Sequence, residues 1–155
     1  MKIEAPKLKR TSYAILLVIL ASMLISLVAW FIKFPGIRRS FVYQSSDSDK
    51  YRVEYRYLPA KPVQGPIQNY IDELLLGPVS EHCTPVFEKG TKVLSCFKKD
   101  NVLYINLSDD VLKADSQTTD FRKQIDLFEK NVFRNFGSIN KIELFIDGKT
   151  AFDAD

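Results

Sequence analysis

Residues Tyr13 to Ile32 form an uncharged run, YAILLVILASMLISLVAWFI, in which Ser22 and Ser26 are the only polar interruptions. At about 1.5 Å rise per residue, a helix of this length covers roughly 30 Å, the thickness of a bilayer's hydrocarbon core. Tyr13 lies at one end and Trp30 and Phe31 at the other, where aromatic rings favour the membrane interface, and Arg10 and Lys33 close the two sides. A cleaved signal peptide has a shorter apolar core of about 7 to 15 residues and ends in small residues. This run ends instead in Trp30-Phe31-Ile32-Lys33-Phe34-Pro35, and no cysteine of a lipoprotein signal occurs before Cys83. The expected organisation is a basic N-terminal flank (1–12), a transmembrane signal-anchor (13–32), a juxtamembrane linker (33–50) and a folded domain (51–155).

Charge agrees with that division. Lys2, Lys7, Lys9, Arg10, Lys33, Arg38 and Arg39 all flank the apolar run. From Ser40 onward 15 basic residues face 18 acidic ones, so the net charge of +3 belongs to the membrane segment and the domain is mildly acidic. A nucleic-acid partner is excluded, because it would need a basic stripe on the domain itself. The N-terminal flank is slightly the more basic, so the positive-inside rule places the N-terminus in the cytoplasm and the domain outside the cell membrane.

Within the domain, Gln44 to Asp49 is polar and reads as the flexible end of the linker. Tyr51 to Tyr57 alternates aromatic and charged residues, the pattern of a half-buried strand with its tyrosines inward. Ile67, Tyr70, Ile71, Leu74 and Leu75 recur at helical spacing between Pro66 and Gly77-Pro78. Thr91 to Phe97 and Val102 to Leu107 form a hairpin about Lys98-Lys99-Asp100-Asn101. Phe121, Ile125, Phe128, Val132 and Phe136 mark a second helix closed by a glycine cap at Gly137, and Ile142, Leu144 and Ile146 a last strand ending at Asp147-Gly148. The order is β-α-β-β-α-β, an α+β two-layer sandwich with both helices on one face of a four-stranded sheet.

These residues resemble a known family. The strand ending in Tyr57-Leu58-Pro59, the helix closing in Leu74-Leu75-Leu76-Gly77-Pro78, the run Lys89 to Ser95, Val102 to Ser108 and the terminal Ile139 to Lys149 together are similar to a GerMN domain. The resemblance implies a fold related to ring-building motifs and an association with envelope assemblies or the cell wall in sporulation and germination proteins. Members carry the domain once or in tandem, and this sequence holds one copy.

Convergent chemistry is sparse. His82 adjoins Cys83, with Cys96 thirteen positions on, which is too few ligands for a zinc site and a poor geometry for a nucleophile pair. A Cys83–Cys96 disulfide and two free thiols fit the sequence equally well. Asp109, Asp110 and Asp115 lack the ligand alternation of a calcium loop and suit turns and caps. No catalytic, metal or cofactor-binding residue is assigned and no cofactor is expected.

The expected function is a non-catalytic, membrane-tethered binding or assembly module. Its partner would be an envelope protein or peptidoglycan, with self-association as a further candidate. The alternative is a small cell-wall hydrolase or its accessory subunit, which would need convergent carboxylates of perturbed pKa. The candidate partner surface is the sheet face opposite the helices: Arg52 and Arg56 with Glu54, Tyr104 from the hairpin, and Glu143 and Phe145 from the last strand. Cross-strand pairing that merely stabilises the sheet accounts for the same residues equally well.

Overall fold

A computed structural model describes residues 10–33, 36–112 and 121–151. The N-terminal basic flank through Lys9, Phe34-Pro35 and Asp115 lie outside them. Two units result, one ending at Pro35 and one running from Gly36 to the C-terminus. The first contains α1 (Arg10–Lys33), within which Ser12–Trp30 is long and apolar enough to cross a membrane. Its Ser22 hydroxyl donates to the Ile19 carbonyl at 2.8 Å, which satisfies the polar interruption within the helix.

The second unit departs from expectation at its first element. Gly36–Ser45, read above as linker, is a ten-residue strand, β1. Phe41-Val42-Tyr43 at its centre is a run of strand-forming residues and is fully buried. β1 pairs antiparallel along its length with β2 (Tyr51–Pro59), from Gly36 opposite Pro59 to Gln44 opposite Tyr51, and its far end pairs with β3 (Cys83–Thr84). The folded unit therefore begins at Gly36 rather than at residue 51.

Helix α2 (Pro66–Leu75) follows β2, with Pro66 in its first turn and Gly77, at φ +89°, just beyond its end. Then come β4 (Val93–Lys99), β5 (Val102–Leu107), a short 3-10 turn (Asp109–Leu112), α3 (Phe121–Asn135), β6 (Lys141–Ile146) and β7 (Lys149–Thr150). The β4–β5 hairpin turns on Asp100 at φ 54°, a conformation that Asp tolerates. β5 pairs parallel with β6, which requires the crossover through α3. Asp147 and Gly148, both left-handed, reverse the chain into β7 instead of ending the fold. Gly137, by contrast, does not adopt the left-handed conformation of a glycine cap.

A single four-stranded sheet is thus replaced by two sheets, ordered β2-β1-β3 and β4-β5-β6-β7. The extra sheet follows from β1, which draws β2 away from the hairpin. One apolar core joins both sheets to α2 and α3. Phe41 stacks on Tyr70 of α2 at 4.7 Å between ring centroids, and Phe87 meets Phe128 of α3 at 5.5 Å. Leu103, Ile105 and Leu107 of β5 are also buried in it. Burying residues of this size stabilises by about 1.5 to 3 kcal/mol each.

Candidate partner-binding surface

β2 carries the decisive geometry, and it inverts the expected alternation. Glu54, Arg56 and Leu58 turn inward, whereas Tyr51, Val53, Tyr55 and Tyr57 are 55%, 40%, 53% and 73% exposed. The cause lies in what α2 requires. The last carbonyls of a helix have no partner within it and need donors from elsewhere. Arg56 supplies one of them, donating from Nη1 to the Glu73 carbonyl at 3.1 Å, and fixes the chain just past the helix by donating from Nη2 to the Gly77 carbonyl at 2.7 Å. Glu54 completes the clamp: its carboxylate accepts from Arg56 Nη2 at 3.0 Å and from the amides of Val79 and Ser80 at 3.2 and 3.1 Å. The guanidinium also lies over the Phe41 ring at 4.8 Å. Partial burial alone would raise the Glu54 pKa, but the hydrogen bonds from Arg56, Ser80 and Val79 hold it below the ordinary glutamate value. Burial pushes the neighbouring Tyr43 hydroxyl up to about 12, so it remains a phenol at every physiological pH.

With the inner slots taken by this charged clamp, the tyrosines face solvent. Arg38 of β1 stands 3.9 Å over the Tyr55 ring, and Lys130 of α3 stands 4.4 Å over that of Tyr51. The result is an aromatic and basic face on the two-stranded part of the first sheet. Aromatic side chains and Arg are the types enriched where proteins meet partners.

The residues expected on one partner face are divided between two sheets. Arg52 is exposed on β2, and Arg56 is a half-buried clamp rather than a contact residue. Tyr104 and Phe145 do share one face of the second sheet, where Tyr104 stacks on the exposed Phe97 at 5.0 Å with ring planes 9° apart and lies opposite Glu143. Lys141 bridges to Glu143 at 2.6 Å on the same face.

Cys83 sits in β3 of one sheet and Cys96 in β4 of the other, and both are free thiols. Burial, with the nearby Asp72 charge, raises the Cys96 thiol to about 11, which leaves it protonated and unreactive near neutrality. Among the described residues no three His, Cys, Asp or Glu side chains come together as metal ligands. Asp72 and Glu129 have raised pKa values, caused first by partial burial, and the like charges that add to this are Glu73 and Asp126 on their own helices. Ser108 donates to Asp110 at 3.0 Å and accepts from the Lys92 amide at 3.0 Å, a turn contact of the kind those acids were expected to make.

The family described as Germane, sporulation and spore germination, matches residues 41–152. The chain belongs to this family. The match begins inside β1, in agreement with a Germane domain that includes this strand. An uncharacterized lipoprotein of Treponema pallidum (strain Nichols) is 28% identical over 91 residues, covering 59% of this chain and 68% of the relative. Among solved structures, the first GerMN domain of the sporulation protein GerM from Bacillus subtilis is similar at a TM-score of 0.55 and 21% identity, over 74% of this chain and 85% of that one. The tandem GerMN domains of the same protein give a TM-score of 0.57 at 18% identity, again over 74% of this chain. The Germane chain spans 40% of that tandem structure. At these identities the likeness establishes the fold.

Proposed function

We propose that this Germane protein is a non-catalytic, single-pass membrane protein of the bacterial envelope. Its N-terminus lies in the cytoplasm, and its domain, held outside, docks onto an envelope protein complex or peptidoglycan. The observation that carries the reading is the tyrosine face of β2, solvent-exposed beside Arg38 and Lys130 while Glu54 and Arg56 of the same strand are spent on the internal clamp. Family membership, the lipoprotein relative and the apolar helix support an envelope location. A rival docking face is offered by Phe97, Tyr104 and Phe145 on the second sheet, with Arg52 at the margin of the first.

Two variants of the full chain separate these faces. Tyr51→Ser with Tyr55→Ser and Tyr57→Ser should leave the thermal melt and membrane fractionation unchanged and abolish complementation of a deletion strain. Tyr104→Ser with Phe145→Ser should complement normally. Full complementation by the folded triple variant overturns the tyrosine face, and loss in the double variant moves the site to the second sheet.

A further inference from the structure

We infer that the outer edge of β2 pairs with the same edge of a second copy of this chain, joining two three-stranded sheets into one of six strands about a two-fold axis. The inference goes beyond the docking reading, because it uses the backbone edge of β2 rather than the tyrosine rings alone.

β2 is the outermost strand of its sheet and spans nine residues. Which backbone groups it presents follows from β1. The amide and carbonyl of Val42 are bonded to Asn131, and those of Ser40 to Asn135, so both residues point their backbone away from β2. The pairs Val42–Val53 and Ser40–Tyr55 are therefore the non-hydrogen-bonded pairs of the antiparallel ladder. By the same alternation Tyr51, Val53, Tyr55 and Tyr57 direct their N–H and C=O groups outward. A long edge with exposed aromatic side chains and no inserted proline is a template for strand addition. The one proline, Pro59, closes the strand's end.

The occupant is chosen by register. A two-fold pairing centred on Tyr55 sets Tyr51 against Pro59 of the second copy and uses the entire strand, since Tyr55 is its midpoint. The same register sets Glu54 beside Arg56 of the other copy, twice by symmetry, and Val53 beside Tyr57. Centring one residue earlier places Glu54 on Glu54 and Arg52 on Arg56. Centring one residue later places Arg56 on Arg56. Centring on Val53 restores Arg52–Glu54 pairs but leaves Arg56 opposite Lys50 and half of the strand unpaired. Like charges directly opposite each other destabilise a strand pair. Full length and charge complementarity thus coincide in one register only. An isologous contact of this kind closes at two copies rather than growing into a fibre.

The test uses the full chain in detergent, with light scattering corrected for bound detergent. The expected protein mass is twice 17.8 kDa, and Tyr55→Pro, which removes an outward N–H and no bond to β1, should halve it while keeping the circular dichroism spectrum. Register is read by oxidative cross-linking in membranes. Tyr55→Cys should form a covalent dimer by itself, the two Cα atoms being about 5.5 Å apart in a hydrogen-bonded pair. Val53→Cys or Tyr57→Cys alone should not, whereas differently tagged Val53→Cys and Tyr57→Cys chains expressed together should cross-link to each other. The unaltered chain, with Cys83 and Cys96, is the background. A monomeric mass, a folded Tyr55→Pro variant that stays dimeric, or a dimer without the Tyr55→Cys cross-link overturns the pairing; if Tyr55→Pro fails to fold, the cysteine series decides. A chain that is monomeric yet complements overturns self-pairing and leaves the docking reading standing.

Discussion

Asn131 holds β1 to α3 from inside the core. It is fully buried on α3, accepts from the Val42 amide at 2.7 Å, and donates to the Val42 and Leu127 carbonyls at 2.8 and 2.9 Å. Four residues later Asn135 repeats the arrangement at Ser40, accepting from its amide at 3.1 Å and donating to its carbonyl at 2.7 Å. Tyr70 ties the two together, its hydroxyl accepting from Asn135 at 2.9 Å and donating toward the Ser40 carbonyl at 2.9 Å. The two amides do what a neighbouring strand would do for β1, at the i, i+4 spacing that puts them on one helical face. Asn131→Ala should cost about 2 to 5 kcal/mol in chemical denaturation, because it leaves a buried N–H and C=O without partners. Asn131→Asp keeps the acceptor and loses the donor, placing a carboxylate against two carbonyls. That variant should be weakest at neutral pH and recover as acid protonates it, the reverse of the trend at Glu54. Folded Glu54 holds its pKa below the ordinary value, so its contribution is complete above that value and disappears as pH falls through the folded pKa. The gap in melting temperature between the parent and Glu54→Gln should accordingly be widest near neutrality and close in acid; a constant gap would mean that the clamp is not electrostatic.

At the scale of elements, spacing in the sequence located α2, both strands of the hairpin, α3 and β6, because each has a clean apolar period and turn residues at its ends. β1 escaped for a physical reason. Its outer half, Gly36 to Ser40, carries two arginines and follows a membrane run whose flanking charges already had an explanation, while its far end merges into the polar Gln44 to Asp49 stretch. The continuous trio Phe41-Val42-Tyr43 was the available signal, since a strand buried on both sides need not alternate. Missing β1 had a second consequence at the candidate site. Without it the tyrosines of β2 are the only large residues available to the core on that side, and they read as inward. Once Phe41 and Tyr43 fill that space, the hydrogen-bond needs of α2 turn Arg56 and Glu54 inward instead. Alternation identifies two faces of a strand but not which face is buried. Asn131 and Asn135 left no periodic signal, because they lie beside an apolar stripe as polar residues commonly do. A direct check is available by truncation. A chain beginning at residue 51 lacks the strand that bears Phe41 and Tyr43 and should show no cooperative unfolding transition. A chain beginning at residue 36 should melt cooperatively and bind no hydrophobic dye, and cooperative folding of the shorter chain would remove β1 from the core.

For the whole molecule, the apolar helix and the folded unit pose separate physical problems, and their composition is split accordingly. The helix Ser12–Trp30 exposes its large apolar side chains all round, with Leu17, Met23 and Ile25 at 69%, 72% and 69% exposure. In water such a surface would be strongly unfavourable, at about 25 cal/mol per Å² of exposed apolar area. In a bilayer it is matched to its surroundings along roughly 30 Å. The domain meanwhile has its own apolar core and, counted from Gly36, 17 basic residues against 18 acidic ones. If the helix is retained as an anchor, alkaline carbonate should leave the protein in the membrane pellet and detergent should release it, with a mature N-terminus at Met1 or Lys2. A soluble protein whose N-terminus follows Phe34 would assign the helix to a cleaved leader instead. Orientation rests on a small margin, since basic residues flank the run on both sides. Protease added to spheroplasts should digest the folded unit and spare an N-terminal tag, and protection of the domain would reverse the topology. Exchanging Lys7 and Lys9 for glutamine removes half of the basic side chains before the span, while Lys33, Arg38 and Arg39 stay behind it. The positive-inside rule then predicts that a fraction of the molecules invert, read as a protease-resistant domain population that grows from none to a measurable share.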